Sequence, residues 1–325
     1  MIPPNRNHYE RIMNLLPPEM VKVFSEIDVN DYPSFVRSPG ITDRMVDEES
    51  PLHAQTQSTL QMLFHTYLMK RHGEKIFVLE PDVGLMLAHT DIRGISGAQF
   101  KTPYREQLFI LPPNLDFLTL YDPQTGVHRL SAVYVGYDGQ ELRLLAVGEA
   151  NDRSKNEYDD TFAYFRFSIN DSDLKTQIRE QIERYSQDTF LAITGGVHNI
   201  GVAERLFNFV LNIVLYVCSP EADKYYEAWA DVEPRITRMG GHARKAEITW
   251  LKANNRFLKI RLGTNTKLTT EQRQWYAQGS ISTRTLVMGH WQHYHTGAGR
   301  VNEVLKWKTP FWRGVGEISN APHIL

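Results

Sequence analysis

Leu130-Ser-Ala-Val-Tyr-Val-Gly-Tyr-Asp-Gly-Gln-Glu-Leu-Arg-Leu-Leu-Ala-Val147 decides how this chain is read. Two apolar, β-branched and aromatic runs flank Asp138-Gly139. A glycine supplies the positive φ that a tight hairpin turn requires, so the stretch reads as two paired antiparallel strands. The same period of two extends outward in both directions. Ile76-Phe-Val-Leu79, Gln107-Leu-Phe-Ile-Leu111, Phe117-Leu-Thr-Leu-Tyr121 and Phe162-Ala-Tyr-Phe-Arg-Phe167 all read as strands. Short turns between successive strands predict an antiparallel meander of about five strands.

Helices flank this sheet. Asn7-His-Tyr-Glu-Arg-Ile-Met-Asn-Leu-Leu16 is a short amphipathic helix closed by Pro17-Pro18. Ser50 as cap, Pro51 at the first position and Gly73 as stop frame a longer one, with Leu60, Leu63, Phe64, Tyr67 and Leu68 at helical spacing. Asn170-Asp-Ser-Asp173 caps another helix running to about Gln187, its acidic start suiting the positive end of the helix dipole. From Ala203 to Cys218 apolar residues occur nearly all around, broken only by polar residues such as Asn208 and Asn212, which predicts a central buried helix. Ser219-Pro220-Glu221 is read as the start of a second helix through Tyr225 and Trp229. After Met239-Gly-Gly-His242 the chain returns to strands, with Thr283–Tyr294 and Val301–Lys308 around a Thr296-Gly-Ala-Gly-Arg300 loop.

The fold class predicted is α+β. Residues 1–75 form a helical region, 76–233 an acidic sheet-plus-helix core with a buried helix pair, and 234–325 a basic β-rich region packed on that core. No repeat or low-complexity segment interrupts this order.

Charge divides the chain the same way. Across 325 residues the net charge is −2, but residues 1–233 hold 21 Lys+Arg against 34 Asp+Glu and residues 234–325 hold 15 against 4. A last third at +11 calls for an acidic partner: nucleic acid, an acidic peptide, or the protein's own acidic part. The single cysteine, Cys218, excludes an internal disulfide and fits a reducing compartment, as a buried inert thiol. Met1-Ile-Pro-Pro-Asn-Arg6 lacks the apolar segment of a signal peptide, and the apolar run at 206–218 is shorter than a membrane span. A cytoplasmic protein with no membrane partner is expected.

The densest chemistry is Gly289-His-Trp-Gln-His-Tyr-His295. On a strand, Trp291, His293 and His295 share one face, and His290, Gln292 and Tyr294 the other. Two histidines on one face could serve a metal, proton transfer, a binding surface or the interior. No cysteine pair, His-Glu-x-x-His or acidic loop supplies further ligands nearby, so no metal or cofactor is assigned. Beyond it Arg300, Lys306, Trp307, Lys308, Phe311, Trp312 and Arg313 interleave cations with rings. That pattern suits single-stranded RNA, and equally a strand with an aromatic core face and a basic solvated face. Thr194-Gly-Gly has no following Lys-Ser/Thr and is no phosphate loop. Asp159-Asp160, Glu48-Glu49 and Asp171-x-Asp173 sit in loops and caps without a catalytic partner, and no catalytic residue is assigned.

Gly289-His290-Trp291, then Tyr294, Gly297 and Gly299, then a strand with Trp307 and Pro310, resembles a type V-A anti-CRISPR family of phages and plasmids. Leu215-Tyr-Val-Cys-Ser-Pro-Glu-Ala-Asp223 and Phe257-Leu-Lys-Ile-Arg-Leu-Gly263 agree with it. The resemblance implies an inhibitor in a bacterial host cell whose partner is the type V CRISPR effector protein. It implies recognition of the effector's nascent N-terminal polypeptide and lowered effector production. The expected binding residues are His290, Trp291, His293, Tyr294, Arg300 and Trp307; the alternative is a protein that binds or cleaves RNA through the same hairpin.

Overall fold

A computed structural model describes residues 7–41, 53–73, 75–122, 126–149, 161–187, 200–227, 236–254, 259–278, 280–281, 285–313 and 321–322. Ser50, Pro51, Trp229, the carboxylate pairs at 48–49 and 159–160, and the glycines of Thr194-Gly-Gly lie outside them.

In chain order the helices are α1 His8–Leu15, α2 Pro18–Glu26, α3 Tyr32–Val36, α4 His53–Arg71, α5 Pro81–Ala88, α6 Leu174–Gln187, α7 Ile200–Cys218, α8 Gly241–Asn254 and α9 Thr270–Gln278. The strands are β1 Lys75–Leu79, β2 Glu106–Ile110, β3 Thr119–Asp122, β4 Gly126–Tyr137, β5 Glu141–Glu149, β6 Thr161–Ser168, β7 Lys224–Tyr226, β8 Ile260–Leu262, β9 Ser280–Ile281, β10 Thr285–Val287, β11 His290–Thr296, β12 Asn302–Lys308, β13 Phe311–Arg313 and β14 Ala321–Pro322.

The α+β class stands, built on an eight-stranded sheet ordered β6-β5-β4-β2-β1-β8-β7. The twelve-residue β4 carries β3 and β2 end to end along one edge and β5 along the other. Gly139, at φ 100°, makes the β4–β5 turn as its sequence predicted.

The sheet is mixed rather than a pure antiparallel meander. β1 runs parallel to β2 and parallel to β8, pairing Phe77 with Phe109 and with Ile260. The cause is α5, started by Pro81 at its first turn, which the alternating reading of 75–169 passed over. It carries the chain away after β1 and allows a parallel return, which no hairpin could make.

Both faces of the sheet are covered, which is why its strands read as near-continuous apolar runs. Ile76, Leu108, Tyr134, Leu145 and Tyr164 meet α1–α4 on one face through Tyr9, Phe24, Phe35, Phe64 and Tyr67. The alternate residues Phe77, Phe109, Val133, Leu144 and Phe165 meet α5–α7 on the other. There the Phe207 ring of α7 stands edge-on to Phe165 and Phe167, centroids 4.7 and 4.2 Å away. α1 is closed by the capping box of Asn7 and Glu10, and α6 by Asp173, whose carboxylate accepts from the Thr176 amide at 3.0 Å.

Two expectations change. The second helix expected from Ser219 is a turn followed by strand β7, which pairs antiparallel with β8. The Asp223 carboxylate accepts the amides of Asn265 at 2.6 Å and Thr266 at 3.0 Å, fastening that segment extended rather than coiled. In the basic last third, α8 and α9 precede the hairpin. Cys218 ends α7 with its side chain exposed, its thiol donating to the Lys101 carbonyl at 3.2 Å. Partial burial still pushes the thiol pKa up.

Candidate functional site

β11 and β12 form the hairpin anticipated from the sequence, pairing His290 with Lys308, Trp291 with Trp307, Tyr294 with Val304 and Thr296 with Asn302. Residues directly opposite share a face, so the ribbon has two distinct sides.

The inner side mounts the hairpin on the core. Trp307 is 4 % exposed and stands edge-on to Tyr216 of α7, centroids 5.1 Å apart. The Trp291 indole donates to Asn212 Oδ1 at 2.7 Å, and the Asn212 amide donates onward to the Thr90 carbonyl at 2.6 Å. Asn208, one turn earlier on α7, donates to the same carbonyl at 2.7 Å, while Trp307 Nε1 lies 3.4 Å from Thr90 Oγ1. The asparagines that break the apolar run of α7 are thus its attachment points. Their four-residue spacing in an otherwise apolar helix was the signal available in the sequence. Gly289 suits the same close packing, because a Cβ there would lie 3.0 Å from Thr90 Oγ1 and 3.1 Å from the Trp307 ring, tight for both.

His293 also faces the body. Its Nε2 donates to the Gly94 carbonyl at 3.2 Å, and its Nδ1 meets the Glu303 carboxylate of the facing strand. His295, on the same face, is exposed near the loop, while His290 lies on the opposite face with Nδ1 donating to the Met288 carbonyl at 3.0 Å. The three histidines therefore do not converge. Among the described residues no group of three His, Cys, Asp or Glu side chains is placed to hold a metal ion.

The outer side carries Tyr294, with Lys306 Nζ 5.6 Å and Lys308 Nζ 4.9 Å from its ring centroid and its hydroxyl donating to Gln292 at 2.9 Å. At the tip Gly297 and Gly299 take positive φ, and Arg300 does so too, at 55°, with no glycine to relieve it. Arg300 is exposed, and Val301 beside it is 78 % exposed. Of the six residues expected to bind, Trp291 and Trp307 work inside the molecule and His293 is held at its surface. His290 and Tyr294 lie on the outer side, and Arg300 stands at the tip.

Part of the basic charge is answered internally. Arg261 meets Glu80 and Glu227, Arg273 donates to Asp82 at 2.7 Å, Lys259 lies 3.5 Å from Glu10, and Lys306 3.1 Å from Glu221. The Arg273 guanidinium beside Asp82 holds that carboxyl below its usual range. Among the described residues Arg300, Lys308 and Arg313 have no ion-paired carboxylate partner, and neither do Arg238, Arg244, Lys245 and Lys267.

The segments that carried the family resemblance meet here. Asp223 accepts from the Gly263 amide at 2.8 Å, and its own amide donates to the hydroxyl of Tyr216, the ring that packs on Trp307. Fold and site together define an α+β protein that displays a firmly mounted β-hairpin. The chain belongs to the AcrVA2-like family, the anti-CRISPR type V subtype A2 family, whose sequence profile matches residues 77–314, and its function is accordingly anti-CRISPR. It is also similar to a crystal structure of AcrVA2 at 13 % identity, over 96 % of this chain and 93 % of that one, with a TM-score of 0.39. No curated protein matches the chain.

Proposed function

We propose that this protein, carried by a phage or plasmid, acts in the cytoplasm of a bacterial host against a type V CRISPR effector nuclease. It binds the effector's N-terminal polypeptide as that polypeptide is made and lowers effector production. The observation that carries this reading is the family match across residues 77–314. The hairpin supports it, because a binding loop is effective when a rigid scaffold presents it. We assign the polypeptide contact to the tip. Arg300 offers a guanidinium for a carboxylate or backbone carbonyl, Val301 an exposed apolar side chain, and strained backbone of this kind gathers at binding sites.

The deciding experiment co-expresses the protein with an effector carrying either its own N-terminal segment or an unrelated one, and follows effector protein and message. Loss restricted to the native segment is expected; equal loss with both, or no loss with either, refutes the reading. Arg300→Ala, checked for an unchanged Tm, is expected to weaken binding of the effector's N-terminal peptide by ~2 kcal/mol, about thirtyfold. Undiminished binding by the folded variant removes the tip from the contact.

A further inference from the structure

The outer face of the hairpin stem has no role in the polypeptide contact assigned to the tip, yet it is built of connected parts. Phe311 of β13 is 47 % exposed, and its ring centroid lies 6.5 Å from that of His290. His290 stands opposite Lys308 in the β11–β12 register. Lys308 and Lys306 both lie over the Tyr294 ring, which gathers the two ammonium groups around one aromatic centre. Gln292 accepts from the Tyr294 hydroxyl, leaving its amide N–H groups for an outside acceptor. Arg313, exposed, ends the strand that carries Phe311.

We infer that this face binds single-stranded RNA, with Lys306, Lys308 and Arg313 meeting phosphates and Phe311 stacking on a base. Two observations support this reading. First, part of the basic charge of the last third is turned inward onto carboxylates: Lys259 to Glu10, Arg261 to Glu80 and Glu227, Arg273 to Asp82. Lys308 and Arg313 have no such partner among the described residues, and Lys306 gives one contact to Glu221. Second, Arg313 lies two residues along β13 from the exposed Phe311, on the same strand face, and Lys306 and Lys308 gather over the Tyr294 ring. Cations next to an aromatic ring are an arrangement that follows a single strand, because phosphates meet the cations while an unstacked base meets the ring. A duplex keeps its bases stacked and offers Phe311 nothing. The two tryptophans that hold the hairpin lie on its other side, so the stem can be occupied without disturbing its mount.

This inference does not depend on the effector reading, and the two fail separately. RNA binding is measured on the purified protein, and effector loss in cells. The test titrates the full chain into a labelled oligouridine at several salt concentrations. Three neutralised phosphates predict a log–log salt slope of about −2, at roughly −0.7 for each. Lys308→Gln and Arg313→Gln are each expected to flatten the slope by about 0.7. Phe311→Ala is expected to weaken binding about tenfold and leave the slope unchanged. Arg300→Ala, at the tip, is expected to change RNA binding less than any of these. Thermal melts accompany each variant; the two glutamine substitutions alter surface side chains and carry the test if Phe311→Ala proves unstable. No binding at low salt overturns the inference, as does a slope unchanged in the Lys308→Gln, Arg313→Gln double variant. Equal affinity for duplex DNA overturns the single-strand assignment, and equal affinity for a glutamate-rich peptide shows an acidic-polypeptide surface instead.

Discussion

Asn212 is fully buried in a helix that otherwise faces apolar surroundings, and it makes two hydrogen bonds of opposite sense. Asn212→Ala leaves the Trp291 N–H without its acceptor and removes one of two donors from the Thr90 carbonyl. A loss of about 2–3 kcal/mol in urea denaturation is expected, against roughly 1 kcal/mol for a solvent-exposed hydrogen bond. His8 and His65 make a second statement at this scale. Both lie fully buried between the helical layer and the sheet, and burial lowers each pKa to about 3, assisted by Arg11 for His8 and Arg143 for His65. A folded pKa below the unfolded value of 6.5 means these groups stabilise the fold fully above that value. The contribution is lost as pH falls from about 6.5 toward 3, at up to ~1.4 kcal/mol per pH unit for each histidine. His65→Phe is expected to make the acid limb of a stability–pH curve shallower, while His72→Phe, at a less buried position, should change it less.

Among the elements, α7 carries the most weight. It is apolar and long enough by composition to cross a bilayer, yet its side chains are mostly buried inside the molecule against the sheet. Phe207→Ala removes a ring in edge-on contact with both Phe165 and Phe167 and is expected to cost about 3–5 kcal/mol by denaturant titration. The hairpin β11–β12 was legible beforehand because alternation and a glycine-rich loop are local signals. Strand β7 was not, because Lys224-Tyr-Tyr226 is extended by its pairing with β8 and by the clasp of Asp223 on Asn265 and Thr266. Neither partner lies within the window from which a helix was read.

For the whole molecule, the decisive contact is β8 beside β1. A strand of the basic third lies inside the main sheet, between β1 and β7, and Trp307 joins the same core as α7. A chain truncated after residue 233 loses a sheet strand and a core indole together. It is expected to show no cooperative thermal transition, whereas the full chain melts in one; a stable, well-folded 1–233 fragment would refute this. The ion pairs joining the basic third to Glu10, Glu80, Asp82, Glu221 and Glu227 predict lower stability in high salt. The effect should be modest, since partly exposed pairs are each worth about 0–1 kcal/mol.

Local chemistry by itself determined the α+β class, the Asp138-Gly139 turn, the buried α7 and the two-sided hairpin. Each rests on a period or a turn residue, signals that act over a few positions. The charge split between residues 1–233 and 234–325 was equally plain. Only the tertiary structure decided what that charge meets, which strands run parallel and which aromatic residues are displayed. Parallel pairing and ion pairing join residues far apart in sequence, so no local pattern encodes their partners. Trp291, Tyr294 and Trp307 look alike as residue types. What separates them is Asn212 and Tyr216 on one side of the ribbon and two lysines on the other. The sheet and α7 had to be in place before either side of the hairpin acquired a role.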